Sequence, residues 1–177
     1  YLEDHEYGYA KENNVHLYYN DGKKCFLKQP LVADKAMAQK DGYRFFMEKE
    51  IYEQSRVMSD TMLGRVQEDY ISFDELDSEF FDGINAIKIC ACGTSYHSAL
   101  SAAYLFERLS KIRCDVEIAS EFRYKDPLLY DDTLFITISQ SGETADTLEA
   151  LKMAKKAGLK SLSICNVDNS SIVRESD

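Results

Sequence analysis

Two short stretches hold most of the chemistry open to this 177-residue sequence. Cys92-Gly93-Thr94-Ser95 and Ser139-Gln140-Ser141-Gly142-Glu143-Thr144 each combine a glycine with hydroxyl side chains where an apolar, β-prone run gives way to a helical pattern. Glycine lets backbone approach a ligand with no Cβ in the way. The free N–H groups of a helix's first turn offer donors and partial positive charge to an anion. Thr94, Ser95, Ser139, Gln140, Ser141 and Thr144 add neutral polar groups of matching reach. Such a site can hold a phosphate without lysine or arginine, which reconciles an anionic ligand with a net charge of −10. The alternative is plain helix capping: Ser141 with Glu143 and Thr144 behind it is an ordinary N-cap sequence, and Thr94-Ser95 reads equally well as a cap. Either loop alone fits both readings. Two such loops on strands of one sheet favour a phosphate site.

Other chemistries find less support. There is no G-x-G-x-x-G after the first apolar strand and no G-x-x-x-x-G-K-[ST], so dinucleotide and P-loop sites are excluded. Ile138-Ser139-Gln140-Ser141-Gly142 lacks the first glycine of a hydrolase elbow. His97 lies two residues after Ser95, and positions i and i+2 diverge on a helix, so it reads as a surface or packing residue. Cys90-Ala91-Cys92 is a C-x-C with no paired histidine nearby, and the three histidines are His5, His16 and His97; no metal site is expected. Five cysteines (Cys25, Cys90, Cys92, Cys114, Cys165) are an odd number and suit free thiols in a reducing cytosol.

Composition narrows the class further. Acidic residues outnumber basic ones 31 to 21, so nucleic-acid and anionic-membrane surfaces are disfavoured. Apolar residues make up 45 % of the chain, enough for a buried core. The longest apolar runs, from Ile87 and from Leu134, fall far short of the ~20 residues needed to cross a bilayer. Tyr1-Leu2-Glu3-Asp4 has no initiator Met and no signal-peptide pattern, and reads as the start of a piece of a longer chain.

The elements that must position the two loops follow from periodicity. Ile87–Ala91, Cys114–Ile118, Leu134–Ile138 and Ser161–Cys165 are short apolar strands, the third buried on both faces. Helices are expected over Ser95–Leu109, with Ala99, Ala102, Ala103, Phe106 and Leu109 inward, and over Glu143–Ala157, ending at Gly158. A short helix over Glu121–Lys125 would be capped by Ser120. This alternation implies an α/β fold with a doubly wound parallel sheet in three layers. Ahead of it, Arg44 to Val66 is helical, with Met47, Ile51, Met58 and Met62 on one stripe expected to pack into a core. Residues 67–85 suit a second helix or turn. Val15–Tyr19 is a strand that turns at Asn20-Asp21-Gly22 and returns through Cys25-Phe26-Leu27.

The two loops also carry a resemblance. With Glu48–Gln54 (E-K-E-I-Y-E-Q), Asp115–Tyr124 and Ser170–Asp177, they resemble the isomerase half of the glucosamine-6-phosphate synthase family, the glutamine–fructose-6-phosphate aminotransferases. The S-Q-S-G-E-T run alone marks the wider sugar-isomerase (SIS) fold, which is flavodoxin-like. The resemblance implies a glutaminase-domain tail over 1–28, a linker over 29–43, and a helical lead-in with a first SIS repeat, unfinished at its C-terminal end, over 44–177. It implies that Thr94, Ser95, Ser139, Gln140, Ser141 and Thr144 hold sugar hydroxyl and phosphate oxygens. It further implies fructose 6-phosphate, glucosamine 6-phosphate and glutamine as reactants, no cofactor, a cytoplasmic homodimer or larger assembly, and no nucleic-acid or membrane partner. The family's glutaminase nucleophile is an N-terminal cysteine, and position 1 here is Tyr1. Its isomerase Glu, His and Lys fall beyond Asp177, so this chain alone is expected to catalyse nothing. A non-catalytic sugar-phosphate sensor on the same fold is the second reading.

Overall fold

The computed structural model describes residues 5–12, 14–23, 39–73 and 76–177. The chain divides into two units, Tyr1–Val66 and Gln67–Asp177.

In the first unit, β1 (Glu6–Lys11) pairs antiparallel with β2 (Asn14–Tyr19), from Glu6 opposite Tyr19 to Lys11 opposite Asn14. Tyr7 stacks on Tyr18 and Tyr9 on His16 across the strands, the cross-strand side-chain contact that stabilises a hairpin. The strand predicted at Val15–Tyr19 is therefore present, and the segment before it pairs with it. The turn at 20–22 also forms, with Gly22 N–H donating to Tyr19 O and Gly22 at φ +80°. The expected return at Cys25–Leu27 lies outside the described residues.

Helix α1 covers Phe46–Met62. Its methionine stripe departs from expectation: Met47, Ile51, Met58 and Met62 are all exposed, Met47 to 72 %. Amphipathic spacing selects a helix, but burial needs a second surface, and the described part of this unit supplies none over that stripe. The one buried residue is a lysine. Lys49 Nζ pairs with Asp41 at 2.7 Å and donates to the Gln39 carbonyl, so residues 39–43 fold back over the helix.

The second unit is the α/β domain. Its strands are β3 (Ala86–Ala91), β4 (Arg113–Ile118), β5 (Thr133–Ser139) and β6 (Ser161–Cys165), all parallel in the order β4-β3-β5-β6. Helix α2 (Gly93–Ser110) covers one face, where Ala99 packs with Ile87, Ile89, Leu134 and Ile136. Helices α3 (Ala119–Phe122), α4 (Ala145–Lys156) and α5 (Ser171–Glu175) cover the other. Here Phe122, Ala150, Leu151, Ala154 and Ile172 close over Cys90 and Phe135. Strand β5 is central and almost wholly buried, as its continuous apolar run requires. Among the described residues, the helical structure between Gln67 and β3 is a 3₁₀ turn, Ser78–Phe81, whose Phe80 packs at the edge of the α2 face.

Three local expectations are corrected. Leu109 is 77 % exposed rather than inward, because it lies at the end of α2, beyond the reach of the sheet. The short helix begins at Ala119, directly after β4, so Ser120 is inside it and not its cap. Helix α4 begins two residues later than predicted, because Gly142 takes a positive φ of +67° and Thr144 stays extended. Cys90 and Cys114 are buried free thiols, while Cys92 and Cys165 are free and half-buried at strand ends. Burial pushes the Cys90 thiol well above its usual range and holds Cys114 up at about 11.

Candidate functional site

The two loops meet at the middle of the sheet's carboxyl edge. Strand β3 pairs with β5 so that Ala91 lies opposite Ile138. Neighbouring strands run ~4.8 Å apart. Thr94 and Ser141 each follow those paired residues by three positions, so both loops leave the same rim. From β3 the chain turns into α2 on one face, and from β5 into α4 on the other. The strand order reverses between them, with β4 on one side of β3 and β5 on the other. In open α/β sheets this reversal opens the crevice where ligands bind. A direct contact ties the two junctions together: Thr147 Oγ1, in the first turn of α4, donates to Cys92 Sγ at 3.8 Å.

The junctions are built differently. At the first, Gly93 has φ +57°, a conformation that disfavours side chains, and a Cβ there would meet nothing. Thr94 is exposed and Ser95 half-buried. Among the described residues neither hydroxyl makes a hydrogen bond, and α2 has no side-chain cap. At the second, the loop is bonded to itself. Gly142 N–H donates to Ser139 Oγ at 3.0 Å and Glu143 N–H to Ser141 Oγ at 3.2 Å. Ser139 Oγ and Thr144 Oγ1 are 3.4 Å apart. Ser139 is buried, whereas Gln140 and Ser141 are exposed and Thr144 half-buried. Thr144 is the N-cap of α4 but makes no side-chain cap bond. Capping therefore does not account for these hydroxyls: two of them brace the loop, and the first-turn N–H groups of both helices lack a side-chain acceptor at the N-cap.

Three features of this region have no signature in the local sequence. Gly142 is pressed against the chain before α5, where a Cβ would sit 1.9 Å from Ser170 Oγ. Its carbonyl accepts from Ile172 N–H at 3.0 Å. The Glu143 carboxylate accepts from Ser171 N–H at 2.8 Å and Ser171 Oγ at 2.7 Å, and these bonds hold its pKa below the usual glutamate range. Arg123, just after α3, donates to Asp146 in the first turn of α4 at 2.7 Å. The glycine and acid in the sequence signalled a turn and a helix start, but their partners lie far along the chain. His97 is exposed and edge-on to Tyr96, with ring centroids 5.4 Å apart. Among the described residues, no cluster of three or more His, Cys, Asp or Glu is arranged to hold a metal ion. No described helix is long and apolar enough to cross a membrane.

The model of the SIS domain family matches residues 83–177. A glutamine–fructose-6-phosphate aminotransferase (isomerizing) of Campylobacter jejuni is 59 % identical over 174 residues, 98 % of this chain and 29 % of its own length. The corresponding enzyme of Francisella tularensis is 44 % identical over 182 residues, the whole of this chain and 30 % of its own. Among solved structures, the C-terminal domain of the Francisella tularensis glucosamine-fructose-6-phosphate aminotransferase superposes with a TM-score of 0.73 at 51 % identity. That match covers 78 % of this chain and 39 % of that one. The chain thus spans about 30 % of the length of the curated relatives it matches. With its parallel sheet, its paired hydroxyl loops at the carboxyl edge and the family match over residues 83–177, more than half of the chain, the chain belongs to the SIS domain family.

Proposed function

We propose that this chain is part of a glutamine–fructose-6-phosphate aminotransferase and carries the loops that hold the sugar phosphate. The observation that carries this reading is the placement of Thr94 and Ser141 on one rim, each three residues past the paired Ala91 and Ile138. The first-turn N–H groups of α2 and α4, with the Thr94, Ser95, Ser141 and Thr144 hydroxyls, converge on an anion. Gln140 reaches the ester or a sugar hydroxyl. Ser139 acts mainly as scaffold, since it is buried and accepts from Gly142 N–H, whereas the exposed Ser141 hydroxyl, which accepts from Glu143 N–H, keeps its own proton to donate. Neither loop contains lysine or arginine, so recognition rests on hydrogen bonds and helix dipoles, which are less sensitive to salt than a lysine cluster.

Binding and catalysis separate in this reading. Aldose–ketose isomerisation needs an acid–base group beside the carbonyl, and neither loop supplies one. Over 1–28 the chain corresponds to a glutaminase-domain tail, over 29–43 to a linker and over 44–177 to a lead-in and first SIS repeat. In the complete enzyme the reactants are fructose 6-phosphate and glutamine, the setting is the cytoplasm, and the assembly is a homodimer or larger. Neither nucleic acid nor membrane is a partner.

A thermal titration with fructose 6-phosphate tests the binding reading. A ligand at a hundredfold excess over its Kd adds about 2.7 kcal/mol to stability. The parent chain is expected to shift and Thr94→Val/Ser141→Ala to shift little; an unshifted parent would sink the reading. Incubation with fructose 6-phosphate and ammonia is expected to yield no glucosamine 6-phosphate.

A further inference from the structure

Two carboxylates flank the loop read here as an anion cradle. Glu143 lies within it, and Asp146 follows Thr144 by two positions in the first turn of α4. Negative charge at a helix N-terminus is favourable for the helix, yet it repels a bound phosphate dianion. Each carboxylate is engaged by a residue from elsewhere in the chain. Glu143 turns to the start of α5, where both its oxygens accept from Ser171. Asp146 Oδ1 accepts from Arg123 Nη1 at 2.7 Å, and both side chains are roughly one-third exposed. The Arg123 guanidinium is also fixed over the Tyr124 ring, 4.9 Å from its centroid. Helix α3 brings Arg123 to this place by packing beside α4, with Phe122 and Ala150 in one core cluster.

We propose that Arg123 is a positioning residue for sugar-phosphate binding, pairing with Asp146 so that this carboxylate does not oppose the phosphate held by the Ser139–Thr144 loop. The inference rests on the sugar-phosphate reading of that loop and adds a residue outside both motifs. Arg123 acts through Asp146 and does not touch the ligand. The cradle thereby keeps an acid that favours helix α4 without its full repulsion of the ligand.

Calorimetric titration of the whole chain with fructose 6-phosphate, repeated with inorganic phosphate, tests this at low and at high salt. Arg123→Ala is expected to weaken binding roughly three- to tenfold at low salt and less at high salt, where screening shortens the reach of the bare carboxylate. Adding Asp146→Asn to Arg123→Ala is expected to restore affinity to within about twofold of the parent. A purely structural loss would show neither the rescue nor the salt dependence. Arg123→Gln, which keeps length and a donor, serves if the alanine variant does not fold. Equal affinity of Arg123→Ala and the parent overturns the proposal. So does a double variant as weak as the single one, because Arg123 would then act by direct ligand contact or by structure and not through Asp146. If the parent binds neither probe, the loop reading falls and takes this inference with it.

Discussion

The two loops at the carboxyl edge use the same residue types and are held by opposite means. The Gly93–Ser95 junction stands free: its glycine is required by backbone conformation alone, and its hydroxyls have no hydrogen-bond partner among the described residues. The Ser139–Thr144 junction is strapped, with its glycine against Ser170, its acid on Ser171 and its first serine accepting from its own backbone. The first loop keeps its polar groups available to a ligand. The second commits part of its polarity to rigidity, with Ser139 Oγ and Ser141 Oγ both accepting from the loop's own backbone N–H groups. On the proposed reading, one site would thus combine a preformed wall with an adaptable one, and preorganisation lowers the entropy cost of binding.

The sharpest way to break this contrast is Gly142→Ala. A Cβ at φ +67° and 1.9 Å from Ser170 Oγ adds left-handed strain to a steric clash. Together these are expected to cost about 2–5 kcal/mol of stability and to abolish fructose 6-phosphate binding, read by urea melts and titration. Gly93→Ala meets only the conformational penalty. Its expected cost is about 1 kcal/mol, so a loss as large as that of Gly142→Ala would show that the first loop is strapped too.

The acid latch gives the smallest effect and a defined pH window. The Glu143 carboxyl is held below the usual glutamate range by its bonds to Ser171. A depressed carboxylate pKa means that the unfolded state binds the proton more readily, so the latch contributes fully above the ordinary glutamate pKa. That contribution is lost as pH falls from there through the lowered folded value. Glu143→Gln is therefore expected to lower stability slightly near neutrality, with the difference from the parent vanishing as pH falls, so that the acid side of the stability–pH curve flattens. Denaturant melts between pH 3 and pH 7 would show this, and an unchanged acid slope would argue against the latch.

The same contrast shows how far a sequence can be read. Periodicity located all four strands of the parallel sheet and the helices α2 and α4 to within two residues or so, because apolar runs and glycine stops are local properties. It placed α1 as well, but expected its methionine stripe to be buried. Amphipathic spacing records a capacity to pack, while burial depends on a second surface. The hairpin shows the same limit: a β-prone run identifies Val15–Tyr19 as a strand without announcing that Glu6–Lys11 pairs with it.

Gly93, Ser141 and Thr144 announced two strand-to-helix junctions rich in hydroxyls, since glycine's freedom and the helix's unpaired N–H groups are matters of a few consecutive residues. The sequence alone therefore determined which hydroxyls and glycines stand at the two junctions, the groups that the proposed function assigns to an anion. Only the tertiary structure decided that both junctions share one rim, through the pairing of β3 with β5. It also decided that Thr147 reaches Cys92, that Ser171 holds Glu143 and that Arg123 holds Asp146. These partners lie 55, 28 and 23 residues apart along the chain. Closing such loops is entropically costly and is repaid by the packing of whole elements, so no local pattern encodes which side chains finally meet.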